Sequence, residues 1–116
     1  MGRYYSGDIE GKFWFALQCS TAGERFGAYE AQNHINYYAD DLQTAEAEIK
    51  NIENKLKDKI KILDDFFKNN DFYNQKQIED LGISQDELRD YADLGLGKQI
   101  RDCIKEQGCC YFDAEI

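Results

Sequence analysis

Aromatic residues crowd the start of this chain, where Tyr4, Tyr5, Phe13, Trp14 and Phe15 fall within the first fifteen positions. Chain termini fray unless packing or hydrogen bonds hold them in place. So much aromatic surface near one end therefore predicts that this segment is built into a sheet and a core. We expect the 116 residues to form a single domain, spanning 1–116, that buries a core without disulfide bridges.

Alternating apolar and polar residues predict three strands, which are residues 11–18, 33–38 and 109–116. In the first of these, Phe13, Phe15 and Leu17 would share one face. The preceding residues 3–9 fit a shorter strand or a turn, and residues 19–33 fit a loop with one helical turn. We expect the N-terminal strand to pair with the C-terminal strand in a small antiparallel sheet, which makes the fold class α+β.

A long amphipathic helix is predicted over residues 42–68. Its apolar residues recur at helical spacing, at Ile49, Ile52, Leu56, Ile60, Leu63 and Phe67. Asp40 or Asp41 would cap its start. A stripe this regular serves either as the backbone of the fold or as the seam of a homodimer formed through 42–68. We favour the fold and keep the dimer as an alternative.

Two capping patterns open the second half of the chain and predict a pair of helices. Asn74-x-x-Gln77 begins a short helix that Gly82 ends, and Ser84-x-x-Glu87 begins a longer one. Ile83 and Leu88 flank the second cap at the spacing of a hydrophobic staple. The longer helix should reach about Glu106 and end at Gly108, with Gly95 and Gly97 weakening its middle.

This helical pair, residues 75–91, resembles a helix-turn-helix in length and in the spacing of its apolar residues. A recognition helix presents basic or amide side chains to base edges. Here the corresponding positions are mostly acidic: Gln85, Asp86, Glu87, Arg89, Asp90 and Asp93. The turn is therefore better interpreted as a connection between two packed helices than as a DNA-binding motif.

The net charge of −9, from 23 acidic and 14 basic residues, constrains the partners. Nucleic acids and anionic membranes attract basic proteins, so we expect neither direct nucleic-acid binding nor membrane binding. An acidic surface suits a basic protein, including one that normally holds nucleic acid. The predicted partner-binding residues are acids of the later helices, namely Asp58, Asp64, Asp65, Asp86, Glu87, Asp90 and Asp93.

No arrangement of residues indicates catalysis, a metal site or a cofactor. The single histidine, His34, has no nearby nucleophile pattern. The cysteines Cys19, Cys103, Cys109 and Cys110 lack the paired spacing of a zinc site, and the adjacent pair points to opposite faces of a strand. We expect reduced thiols, no metal, no cofactor and no enzymatic activity.

Resemblance to known proteins lies mainly at the two ends of the chain, the opening MGRYYSGDIEGKFWF and the closing CYFDAEI. Both ends resemble small uncharacterised proteins encoded by bacteriophages or recovered from environmental sequence. The resemblance implies a cytoplasmic phage accessory protein that binds a host protein, similar to an anti-CRISPR inhibitor whose acidic face occludes a nucleic-acid site. The alternatives are an oligomeric virion-associated protein and a small-molecule or nucleotide-binding protein.

Overall fold

Within the part of the chain that the structure describes, five antiparallel strands form one sheet, and helices pack on one of its faces. The computed structural model describes residues 4–14, 17–19, 21–30, 36–70 and 73–114. The strands are β1 (Tyr4–Gly7), β2 (Gly11–Lys12), β3 (Tyr29–Glu30), β4 (Asn36–Ala39) and β5 (Cys110–Ala114). The helices are a 3-10 helix (Ala22–Phe26), α1 (Leu42–Leu56), α2 (Lys59–Asn69), α3 (Gln75–Asp80) and α4 (Gln85–Gln107).

The strand order is β2-β1-β5-β4-β3, so the two ends of the chain lie side by side in the sheet. Tyr5 of β1 pairs with Ala114 of β5. On the other side of β5, Phe112 pairs with Tyr37 of β4. The expected α+β class and the pairing of an N-terminal with a C-terminal strand are therefore confirmed. Helices α1 and α4 pack against the inner face of this sheet and form the main core with it.

The N-terminal strand that makes this pairing is Tyr4–Gly7, and the prediction of a strand over 11–18 was wrong beyond Lys12. The chain turns after Trp14, because its carbonyl oxygen accepts hydrogen bonds from the amides of Leu17 (3.2 Å) and Gln18 (3.0 Å). The Gln18 side chain closes the same turn by accepting from the Trp14 amide at 3.1 Å. Phe15 lies outside the described residues.

The remaining strand predictions are shifted or shortened at their ends. The strand expected at 33–38 is Asn36–Ala39, and the one expected at 109–116 is Cys110–Ala114. Residues 33–35 and 115–116 lie outside the described residues. The loop expected over 19–33 contains the 3-10 helix and also Tyr29–Glu30, a two-residue edge strand that the sequence pattern does not reveal.

The helix predicted over 42–68 is two helices, because the chain breaks at Lys57. This residue has φ of 51°, a left-handed value that no α-helix contains. The break lets one apolar stripe serve two clusters: Ile49, Ile52 and Leu56 enter the main core, and Leu63 enters a second one. All four are buried within the single chain, while Ile60 and Phe67 of the same stripe are half-buried. A homodimer formed through 42–68 stays a prediction.

The predicted helix caps are confirmed. The Asp41 carboxylate accepts from the Thr44 amide at 3.0 Å, and both capping boxes are formed with reciprocal bonds. Gly82 and Gly108 have φ of 76° and 87°, the conformation that ends a helix at least cost for glycine. Ile83 and Leu88 are both buried in the second core, as a hydrophobic staple requires.

Gly97 is the point of closest approach between α4 and the 3-10 helix. A Cβ atom at this position would overlap the ring of Phe26, which is fully buried. A Cβ at Gly95, two residues earlier, would meet no atom within 4 Å. The two glycines inside α4 therefore have different physical consequences.

We expect Gly97→Ala to destabilise the protein and Gly95→Ala to stabilise it. The first change forces Phe26 out of its place, which costs about 1–3 kcal/mol. The second removes the entropic penalty of a helical glycine, worth up to about 1 kcal/mol. Urea unfolding of both variants measures the difference. An equal effect of the two substitutions would contradict the close approach of Phe26 to α4.

The ionised Glu87 carboxylate of the second capping box should make the free energy of unfolding depend on pH in the acid range. The Lys59 ammonium and the Ser84 amide, both bonded to the Glu87 carboxylate, hold the pKa of Glu87 below its usual 4.5. The stability from this ionised group is complete above about pH 4.5 and is lost as the pH falls through the lowered pKa. We expect Glu87→Gln to be less stable than wild type at neutral pH and to match it in acid. Because glutamine can still form the capping box, the variant tests the charge of Glu87. A difference that stayed constant across this range in urea unfolding would contradict the stabilising role of that charge.

Candidate functional site

A row of three tyrosines crosses the outer face of the sheet. Tyr29 of β3 lies directly opposite Tyr38 of β4, and Tyr38 lies directly opposite Tyr111 of β5. The rings of Tyr29 and Tyr38 meet edge to face, with centroids 5.6 Å apart. Because their neighbours Tyr37 and Phe112 point into the core, alternation along the strands sends these tyrosines to the opposite face.

A polar row runs beside the tyrosines on the same face. Ser6 of β1, Asp113 of β5 and Asn36 of β4 lie opposite one another, and the Asn36 amide donates to the Asp113 carboxylate. Tyr4 of β1 also lies on this face, opposite Lys12 of the edge strand β2. The outer face therefore combines four tyrosines with hydrogen-bonding groups and a central carboxylate.

Large exposed apolar side chains are concentrated on this face. Of the five in the described residues, Tyr4 (49% exposed), Tyr29 (51%) and Tyr111 (41%) lie here, while Ile62 and Tyr73 lie on the helical side. Tyrosine is enriched in protein–protein interfaces, since it contributes a large rigid contact area and a hydroxyl group. We name this surface, made of Tyr4, Tyr29, Tyr38, Tyr111 and Asp113, the tyrosine face.

Further acids border the tyrosine face. The Asp8 carboxylate accepts hydrogen bonds from the Tyr111 amide (2.9 Å) and from the Gln107 side chain (2.8 Å). Desolvation, the nearby Cys109 thiol and the charge of Asp40 together raise the pKa of Tyr38. The Tyr38 hydroxyl therefore stays protonated at neutral pH.

The acids that the sequence predicted as partner-binding residues differ in their exposure to solvent. Asp58, Asp64, Asp65 and Asp86 are exposed. Glu87 is half-buried and bonded to Lys59, and the Asp64 carboxylate accepts from the Tyr91 hydroxyl at 2.6 Å. Asp90 and Asp93 are buried, with 6% and 3% of their surfaces exposed. Their assignment to a contact surface was wrong, because a partner cannot reach them.

Arg25 of the 3-10 helix holds both buried carboxylates. Its Nη1 donates to Asp93 at 2.7 Å and to Asp90 at 3.0 Å, and its Nε donates to Glu48 of α1 at 3.0 Å. Lys55 adds a second cation 3.3 Å from Asp90. We call Arg25, Glu48, Lys55, Asp90 and Asp93 the Arg25 cluster; it joins the 3-10 helix, α1 and α4.

The Arg25 cluster is an electrostatic unit formed at the cost of desolvation. Burial by itself favours the neutral guanidine, but the hydrogen bonds to Asp93, Glu48 and Asp90 outweigh it and raise the pKa of Arg25. Burial raises the pKa of Asp93, and the bonds from Arg25 oppose this effect only in part. Every member has an oppositely charged partner within the chain, so the cluster is suited to fixing the fold.

The cysteines are free thiols and lie mostly inside the fold. Cys103 and Cys110 are buried, Cys109 is half-buried and Cys19 is exposed. Burial raises the pKa of the Cys110 thiol and of the Cys103 thiol, which keeps both protonated. Within the described residues no group of three His, Cys, Asp or Glu side chains is placed to hold a metal ion. His34 lies outside the described residues.

Sequence reasoning missed the tyrosine face for identifiable reasons. Tyr38 fell in a predicted strand, but Tyr29 fell in a predicted loop and no pattern set the register that aligns it with Tyr111. Arg25 fell in the same predicted loop. A basic residue next to a buried aromatic, Arg25-Phe26, in a chain with excess acids was the only signal for its role.

No protein-family model, curated protein or solved structure matches this chain. Within the described part of the chain, no helix has the length and apolar character needed to cross a membrane.

We expect Arg25→Met to lower the free energy of unfolding by about 3 kcal/mol, because it leaves Asp90 and Asp93 buried without their main cation. Arg101→Met is the matched control: Arg101 pairs with the exposed Asp102, and exposed pairs contribute less than about 1 kcal/mol. Adding Asp93→Asn to Arg25→Met should recover part of the loss. Equal losses for the two arginine variants in urea unfolding would contradict the central role of the cluster.

Proposed function

We propose that this protein binds a basic segment of another protein through its tyrosine face, and that it acts by binding and not by catalysis. The observation that carries the proposal is the aligned row Tyr29–Tyr38–Tyr111 beside Asp113. An aromatic row with adjacent carboxylates offers two contacts to an arginine at once. The guanidinium stacks on a ring, and its N–H groups donate to the carboxylate.

The charge of the whole chain supports the same partner. A net charge of −9 attracts a basic protein at long range and raises its association rate at low salt. The tyrosines would then supply the short-range contact that fixes where the partner docks. The two edge strands, β2 and β3, contain two residues each, so they offer little backbone for a partner to extend the sheet. Side-chain contact with the face is therefore the favoured mode.

The resemblance of the chain ends to bacteriophage proteins extends the proposal to a biological setting. The partner would be a host protein in the host cytosol, and its basic surface would be one that normally holds nucleic acid. Covering that surface would inhibit the host protein, as an anti-CRISPR inhibitor does. The acidity of the chain and the tyrosine face support a basic partner. The assignment of that partner to a host cell comes from the resemblance.

We expect an oligo-arginine peptide to bind the wild-type protein and to bind Tyr29→Ser/Tyr111→Ser at least about tenfold more weakly, since exposed interface tyrosines contribute strongly to affinity. Both substitutions leave the net charge unchanged, so a loss reports the face and not bulk electrostatics. Fluorescence anisotropy of the labelled peptide measures the dissociation constant. A retained melting temperature shows that the variant is folded.

Two control variants locate the binding surface. Ile62→Ser removes another exposed apolar side chain, one that lies on α2, and should leave the affinity unchanged. Asp58→Asn/Asp65→Asn/Asp86→Asn removes exposed helical acids and should slow association without abolishing binding. If this triple variant loses more affinity than the tyrosine variant, the contact lies on the helices and the proposal is overturned.

A further inference from the structure

A groove of about 290 Å³ runs along α4, away from the row Tyr29–Tyr38–Tyr111. Its floor is the exposed side of α4 between Tyr91 and Gln99. Trp14 contributes to one wall, and Ile60 and Asp64 of α2 form the other. The groove combines apolar and polar lining groups, which is the usual composition of a small-molecule site.

Gly95 lies in the floor of this groove and has no packing role within the described chain. It is exposed in the middle of a helix, where glycine is less favourable than alanine by about 1 kcal/mol. Gly97 is explained by the ring of Phe26, but a Cβ at Gly95 would meet nothing within 4 Å. A glycine kept at a cost, in open space, lets an outside group approach the backbone of α4 closely.

The groups around Gly95 define the kind of molecule that fits. Trp14 and Tyr91, whose ring centroids lie 6.2 Å apart, present aromatic surface. Two hydrogen-bonded pairs line the groove. The Gln99 amide donates to the Tyr5 hydroxyl at 2.8 Å, and the Tyr91 hydroxyl donates to Asp64 at 2.6 Å. Each pair keeps further donor or acceptor capacity for a ligand.

The charges that face the groove balance. Lys12 and Lys98 supply two positive charges, Lys98 lies 3.8 Å from Glu53 of α1, and Asp64 supplies the second negative charge. A strongly charged ligand would therefore gain little electrostatic attraction here. A flat ring with both donors and acceptors at its edges would gain stacking from the aromatic groups and hydrogen bonds from Gln99 and Asp64.

We propose that this groove binds an uncharged, flat heterocyclic compound of nucleoside size, seated over Gly95 between Trp14 and α2. The ring lies against the aromatic groups, and its polar edges bond to Gln99 and Asp64. This site is separate from the row of tyrosines that carries the proposed protein binding. Either proposal therefore stands or fails without the other.

Trp14 is the single tryptophan of the chain, so its fluorescence reports directly on the groove. We expect adenosine, guanosine, cytidine or uridine to change this fluorescence saturably, and ribose alone to have no effect. Gly95→Leu should fill the groove and weaken nucleoside binding by more than about tenfold, because the new side chain occupies the ligand's place. The same variant should keep or raise the melting temperature, since leucine favours helices.

The matched control is Ala47→Leu, which adds the same side chain at an exposed position of α1 outside the groove and should leave nucleoside binding unchanged. The absence of a saturable response to all four nucleosides would overturn the proposal. An equal response in Gly95→Leu, or a saturable response to ribose, would overturn it as well. A lowered melting temperature in Gly95→Leu would show that the space over Gly95 is filled within the chain.

Discussion

The guanidinium of Arg25 connects three elements that lie far apart in the sequence. It is bonded at once to Glu48 of α1 and to Asp90 and Asp93 of α4, while its own backbone belongs to the 3-10 helix. Removing these charges from water costs several kcal/mol each, and only a matched arrangement repays that cost. An ion cluster of this kind favours one docking of the helices over others that an apolar contact would accept equally well. The neighbouring Phe26, seated against Gly97, fills the space that the same docking creates.

This docking decides which surfaces of the molecule remain exposed. Because α1, α4 and the 3-10 helix pack on the inner face of the sheet, the outer face has no covering element among the described residues. Tyr37 and Phe112 stack in the core with ring centroids 5.7 Å apart, while the adjacent Tyr38 and Tyr111 face outward. The same strands thus build the core and the proposed binding surface. The packing of α2 against the end of α4 leaves the groove over Gly95.

Local sequence signals predicted the helix ends well. The bonds of Asp41, of the Asn74 box and of the Ser84 box all join residues three apart, so the sequence contains the whole interaction. Longer elements were predicted less well. The stripe from Ile49 to Phe67 has the period of one helix, yet the chain breaks at Lys57, and beyond the break Leu63 packs in the second cluster. The strand predicted at 11–18 ends at Lys12 because a turn at Trp14 satisfies the same backbone groups.

By itself, the sequence determined the α+β class, the pairing of an N-terminal with a C-terminal strand, the helix caps and the excess of acidic charge. The tertiary structure alone decided which acids are exposed and which tyrosines are aligned. From the sequence alone, Asp90 and Asp93 are predicted to be exposed acids on a helix. In the fold they are bonded to Arg25, which lies 65 and 68 positions earlier in the chain. The row from Tyr29 to Tyr111 exists only once three strands take one register. Caps and periodicity act within a few residues, whereas ion pairing and strand register act between residues that only folding brings together.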